Sequence, residues 1–438
     1  AYKYQIRNSA DLEKFLNNEN NISGKYYQLA TDIILNKEFV DKEFVLKNNL
    51  SGLFEVAYDG KPNVVYKYSI FGLRIRSTKA VGNVGLFASV GTPNLVLDYL
   101  NIESASVSVE TDRDVNVGIL IAVTSNNLTI KNCKVSGSIT VNVDKGTNTN
   151  ANVNVGAMIG KASGALTVQG APSESTINNN NINANVSIKV VLAKDVTEDA
   201  SHVINAGGIV GYAEASENKD VLSNIIGFTG IDVADVNVIS RITAVKLSDS
   251  GTKTTTNYAK NVNIGGVIGK ANYAKIDNVV VYPILAGYTN IGGVVGQIGF
   301  GEITNTQVQL LYNLNMKNII AGYNYVGGIV GYADLIEANP IFNIVYPLTI
   351  DYCYVRSYTS RAMNDFTDGY FDVVNDINEN YYGGVVLLND QSGENRYMGG
   401  LIGAVYYTSN GDTGVNSYNV QISNSYFNSD LASNVNNK

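Results

Sequence analysis

Residues able to do chemistry are few in this chain, which makes them quick to weigh. It contains one histidine, His202, close to Asp199. A single imidazole excludes a zinc site built from several histidines. A Ser-His-Asp or Cys-His arrangement would have to recruit this one residue, and no nucleophile motif accompanies it. The expectation for His202 is therefore a solvated loop side chain. Two stretches imitate phosphate loops, Gly156-Ala-Met-Ile-Gly-Lys161-Ala and Gly265-Gly-Val-Ile-Gly-Lys270-Ala. A true loop separates its glycines by four residues and follows the lysine with Ser or Thr to hold magnesium. Both stretches miss the spacing and place Ala after the lysine, so they read as strands.

The acidic residues Asp365, Asp368, Asp372 and Asp376 form the one carboxylate cluster suited to cleaving a glycosidic bond. They fall in an expected insertion, with neither the Asn-Thr-Asp nor the Gly-His-Gly pattern of pectin-degrading enzymes. Within the cluster, Asp376-Ile-Asn378-Glu-Asn380 starts like a calcium loop, but Tyr381 replaces the required glycine and no Glu closes it. Asn410-Gly-Asp412 is no more complete. No cofactor is predicted, and calcium as a loop stabiliser is the one metal left open. The two cysteines, Cys133 and Cys353, occupy equivalent repeat positions about five repeats apart, or ~24 Å at ~4.8 Å per repeat. A disulfide needs Cα atoms within about 7 Å, so both are expected as buried thiols. The chain is accordingly expected to be no enzyme, with a polysaccharide-cleaving activity as the less favoured alternative.

The elements that hold these residues are dominated by a recurrent glycine motif. Its first glycines are Gly85, Gly118, Gly156, Gly207, Gly265, Gly292, Gly327, Gly383 and Gly399, spaced by 33, 38, 51, 58, 27, 35, 56 and 16 residues. A constant motif at irregular spacing predicts a parallel β-helix, a β-solenoid with irregular loop insertions. The last step is too short for a whole repeat, so Gly383 is assigned to an insertion. Asparagines precede the motif by two residues at Asn83, Asn116, Asn154, Asn205, Asn263 and Asn290. When stacked, they would form a hydrogen-bonded ladder, and Asn suits left-handed corners. A second motif alternates apolar and polar residues, as in Leu95-Val-Leu-Asp-Tyr-Leu-Asn-Ile102 and Leu348-Thr-Ile-Asp-Tyr-Cys-Tyr-Val355.

Read as one straight strand, the glycine motif is apolar on both faces. Met158, Ile209, Val267, Val294, Ile329 and Leu401 would then form an outward stripe, covered by insertions or by another protomer. Residues 1–80 are expected to form an N-terminal cap, with Asn8 capping a short helix whose apolar side is Leu12, Phe15 and Leu16. Residues 81–438 are expected to form the solenoid, ending in an uncapped edge.

Composition bounds the partners. The net charge is −8 with a pI near 4.9, which argues against nucleic acid. No apolar run is long enough to cross a membrane as a helix. The first residue is Ala1 rather than Met, so the expectation is either that a signal peptide has been removed, the favoured reading, or that the chain is an excised piece.

Tyr26-Tyr-Gln-Leu-Ala-Thr-Asp-Ile-Ile-Leu35, Phe71-Gly-Leu-Arg-Ile75, Val84-Gly-Leu-Phe87 and the later Gly-Gly-Ile/Val-Ile/Val-Gly copies together resemble GLUG-motif surface proteins, which are repeat-bearing and adhesin-like. The resemblance spans most of the chain. The copies at Gly85 and Gly118 depart from it by lacking the second glycine. It implies a non-catalytic, extracellular, cell-surface protein that is structural or adhesive. The apolar stripe and the uncapped edge point to self-association into a filament or surface layer; the alternative is a monomeric adhesin on host protein or glycan. Tyr-rich segments such as Tyr352-Cys-Tyr354 would make the contacts.

Overall fold

A computed structural model describes residues 4–19, 22–56, 64–78, 81–144, 151–170, 182–194, 196, 202–214, 216–220, 225–250, 253–310, 312–313, 316–335, 347–357, 384–387, 397–407, 420–427 and 432–434. This part of the chain is nearly all β, in long sheets of 18, 16 and 8 strands, none of which closes on itself. One repeat shows the path. Val262–Gly265 lies in the eight-stranded sheet, Ile268–Asp277 in the 18-stranded sheet and Val280–Ala286 in the 16-stranded sheet. The next repeat lays Ile291–Gly292, Val295–Thr304 and Gln307–Leu310 beside them in parallel register. Parallel pairing requires a crossover, and here the remainder of each repeat supplies it. Antiparallel pairs among the described residues are local hairpins, such as Leu53–Val56 with Val64–Lys67.

The motif glycines set the register. Gly118, Gly156, Gly207, Gly265, Gly292, Gly327 and Gly399 are successive parallel partners, while Gly85 follows Val84, the partner of Val117. Gly327 meets Gly399 directly. Gly383 itself lies outside the described residues, and the adjoining Gly384–Leu387 joins a different sheet, beside Ile319–Gly322.

The motif is not a straight strand, and this overturns the outward stripe. Ile291–Gly292 ends in one sheet, Val295 begins another, and the chain turns through Gly293 and Val294. Turning resets the alternation, so Ile291, Val294 and Val295 all enter the core at 0% exposure. Met158, Ile209, Val267 and Ile329 are buried in the same way, and Leu401 is half-buried. The backbone shows why glycine is needed: a Cβ on Gly296 would lie 2.6 Å from the Ile264 nitrogen of the preceding repeat. The 18-stranded sheet thus rests its backbone almost directly on that of the eight-stranded sheet, a spacing no side chain permits.

The second motif also hides a corner. Leu348–Asp351 ends at Tyr352, with φ 51°, and Tyr354–Ser357 continues in the 16-stranded sheet. Asn132, Asp235, Asn278, Asn305 and Asn424 take the same left-handed conformation in other repeats. Asn and Asp tolerate it because their short polar side chains bond locally. Tyr352 pays about 1–2 kcal/mol to adopt it.

The two ends differ. At the start, helix Ser9–Leu16 is capped by Asn8, whose Oδ1 accepts from the Asp11 N–H at 2.9 Å, and it buries Leu12, Phe15 and Leu16. The strands before position 80 are continuous with the rest: Val45–Leu46 pairs with Phe87–Val90, and Asn49–Ser51 with Leu95–Asp98. At the other end, Ile402–Tyr407 and Val420–Ser423 are the last described strands of the 18-stranded sheet.

Candidate functional site

The residues singled out for chemistry do not converge. His202 is buried at 7% exposure, not solvated, and its Nδ1 accepts from the Ala151 N–H at 3.1 Å. Lys161 pairs with Glu214 at 2.9 Å and lies 5.3 Å from the Tyr212 ring, which Lys270 approaches from 5.8 Å. Both lysines are therefore engaged in cation–π contacts on the sheet surface rather than around a phosphate. Cys133 and Cys353 are free and buried, and their repeats are separated by five register steps. Burial pushes the Cys133 thiol up to about 12 and that of Cys353 to about 11. Thiols so hard to ionise are poor nucleophiles. Asp199, the cluster Asp365 to Asp376, the calcium-like stretch to Tyr381 and the Asn410-Gly-Asp412 stretch lie outside the described residues. Among the described residues, no group of three or more His, Cys, Asp or Glu side chains is placed to hold a metal ion.

The asparagine ladder is present, and it runs in one direction. Nδ2 of Asn116, Asn154, Asn205, Asn263 and Asn290 each donates to Oδ1 of the ladder residue one repeat earlier, at 2.7–2.9 Å. The ladder stops at Asn290, whose Oδ1 has no hydrogen-bond partner among the described residues. The following repeat carries Tyr325 there, and its ring stacks on Tyr397 at 5.8 Å and 4°. Asn290 is the one ladder residue with a left-handed backbone; the corner role belongs to the second motif.

Two surface features remain. The first is the last repeat, which leaves core columns uncovered. Val405 is the register partner of Ala333 and Ile422 that of Ile350; the inner pair is 0% exposed, the outer pair 49% and 48%. Leu401, Ile402 and Phe427, which continue the columns of Ile329, Val330 and Val355, are only half-buried. The residues are apolar because their column is apolar. They are exposed because no described strand lies over them.

The second is an open groove of about 640 Å³ along the second-motif corner, lined by Asp235, Asp277, Asn278, Asn305, Gln307, Tyr352, Tyr354, Asn424 and Tyr426. Three neighbouring columns build it. The left-handed corner residues form one, Asp277 belongs to the column before it, and Gln307, Tyr354 and Tyr426 are register partners in the column after it. Oδ1 of Asp235 accepts from Asn278 at 2.6 Å, and Oδ1 of Asp277 accepts from Asn305 at 2.8 Å and Thr304 at 2.6 Å. Tyr354 and Tyr426 stack at 5.3 Å with their planes within 4°. Tyr352 and Tyr354 stood out in the sequence; Asp235, Asp277 and Tyr426 did not, since repeats far apart in the chain bring them together. Comparison of the chain with protein-family models, with curated proteins and with solved structures found no match.

Proposed function

We propose that the chain is a non-catalytic structural or adhesive protein of the cell exterior. Its three sheets form the walls of a parallel β-solenoid, and the uncovered last repeat is a contact surface for assembly. The observation that carries the reading is the change along single columns, from 0% exposure at Ala333 and Ile350 to about half exposure at Val405 and Ile422. A sheet edge with apolar columns behind it is a template for further β pairing, and each such half-exposed side chain gains about half of the ~1.5–3 kcal/mol that burying a fully exposed one is worth. Placement outside the cell is supported by the sparse charge, the Asn-rich repeats and the motif resemblance.

Electron microscopy of the purified chain over a range of concentrations tests the assembly role. Particles joined through their ends are expected, and Val405→Asp with Ile422→Asp should return them to single rods. Single rods from the unaltered chain at every concentration would remove the assembly role.

A further inference from the structure

We propose that the groove along the second-motif corner binds a neutral glycan chain, laid across successive repeats and held by the stacked rings of Tyr354 and Tyr426. The inference is independent of assembly at the last repeat.

The lining has the chemistry of a sugar site. Sugar hydroxyls donate and accept, so they need planar acceptors and amides rather than a single charge. The groove offers Asp235, Asp277, Asn278, Asn305, Gln307 and Asn424. The internal ladder uses Oδ1 of Asp235 and Asp277, and Oδ2 of each carries no hydrogen bond among the described residues. Each carboxylate is thus held in orientation from one side while its second oxygen remains an acceptor. The apolar faces of sugar rings need flat aromatic surface. Parallel Tyr354 and Tyr426, stacked 5.3 Å apart on successive strands, cover each other's inner faces and leave the outer face of Tyr426 and the ring edges to a sugar, with exposed Tyr352 beside them.

Charge narrows the class. Two carboxylates and no lysine or arginine line the groove, so an anionic polysaccharide would be repelled. Length narrows it further. From Asp235 through Asn278, Asn305 and Tyr352 to Asn424 there are four repeat steps, or ~19 Å at ~4.8 Å each. That is a trough for several linked sugars rather than a pocket for one. Tyr352 is 58% exposed at this corner, in the left-handed conformation that Tyr99 also takes at the equivalent corner of an earlier repeat.

The test is calorimetric titration of the whole chain with four neutral tetrasaccharides: the β-1,4 oligomers of glucose, N-acetylglucosamine and mannose, and the α-1,4 oligomer of glucose. A heparin tetrasaccharide is the anionic control. At least one neutral tetramer should bind and heparin should not. Tyr426→Ala, at a 57% exposed position, should weaken binding about tenfold or more. Asp277→Asn should weaken it with the melting temperature held. Tyr66→Ala, at an exposed tyrosine on the Val64–Lys67 strand, should change nothing. Absence of binding by all four neutral tetramers overturns the proposal, as does binding that survives Tyr426→Ala. A proline-rich peptide that binds in their place and loses affinity in Tyr426→Ala would also overturn it, making the groove a peptide site.

Discussion

A Cβ on Gly265 would lie 2.7 Å from the Val294 oxygen and 2.8 Å from the Gly296 nitrogen, both backbone atoms of the following repeat. Backbone cannot retreat as the tip of a side chain can, so the collision must move a sheet. Gly265→Ala is expected to cost about 2–3 kcal/mol, in the range of core overpacking. Gly82→Ala, whose nearest neighbour is the Asp114 oxygen at 3.4 Å, should stay within about 0.5 kcal/mol. Thermal melting of the two variants reads the difference directly. The buried thiols make a second residue-scale prediction. Their pKa values in the fold, about 12 for Cys133 and about 11 for Cys353, stand above the ordinary 9.0. The unfolded chain therefore ionises first as pH rises. The stability contribution of the thiols is whole below pH 9 and is lost as pH climbs through 11 and 12. Equilibrium unfolding in alkaline buffers should show that decline, and neither thiol should react with a disulfide reagent at pH 8 until denaturant is added.

At the scale of the element, the ladder is the feature with the clearest energetic consequence. Asn205, 4% exposed, donates to Asn154 and accepts from Asn263. Asn205→Ala strands an acceptor on one side and a donor on the other, each costing about 1–3 kcal/mol when buried. Asn83, at the ladder's start, only accepts from Asn116, so Asn83→Ala should lose about 1 kcal/mol. A denaturant series comparing the two variants checks the ranking. The ladder was legible in the sequence because one residue type recurs at one offset from the glycines. The helix was legible because Asn8, Asp11, Leu12, Phe15 and Leu16 carry cap and period together. The corners were not. Alternation assumes an extended chain, and the bends at Gly293-Val294 and at Tyr352 are set by contacts with the neighbouring repeat. His202 was misread for the same reason: its burial depends on Ala151, 51 residues away. The groove escaped because its carboxylates and its Tyr426 lie in different repeats.

Over the whole molecule, the first and last described repeats differ: a helix with Asp11, Glu13 and Lys14 beside its apolar side packs at the first, and Val405 and Ile422 stay about half exposed at the last. In the assembly proposed above, two last repeats meeting face to face would bury both at once and then stop, as a two-fold contact does. The expected particle in the microscope is therefore a rod of doubled length, and Val405→Asp should halve it. The variable repeat length has a different consequence. Register partners are as few as 27 residues apart, at Gly265 and Gly292, and as many as 72, at Gly327 and Gly399, with the glycines equally aligned. Loop closure costs only about 0.6 kcal/mol for each doubling of length. Foreign sequence could be spliced in where the chain leaves one strand for the next, and the framework would carry it as cargo. A segment inserted there should leave the parallel register of the flanking strands, and so the packing of the core, unchanged.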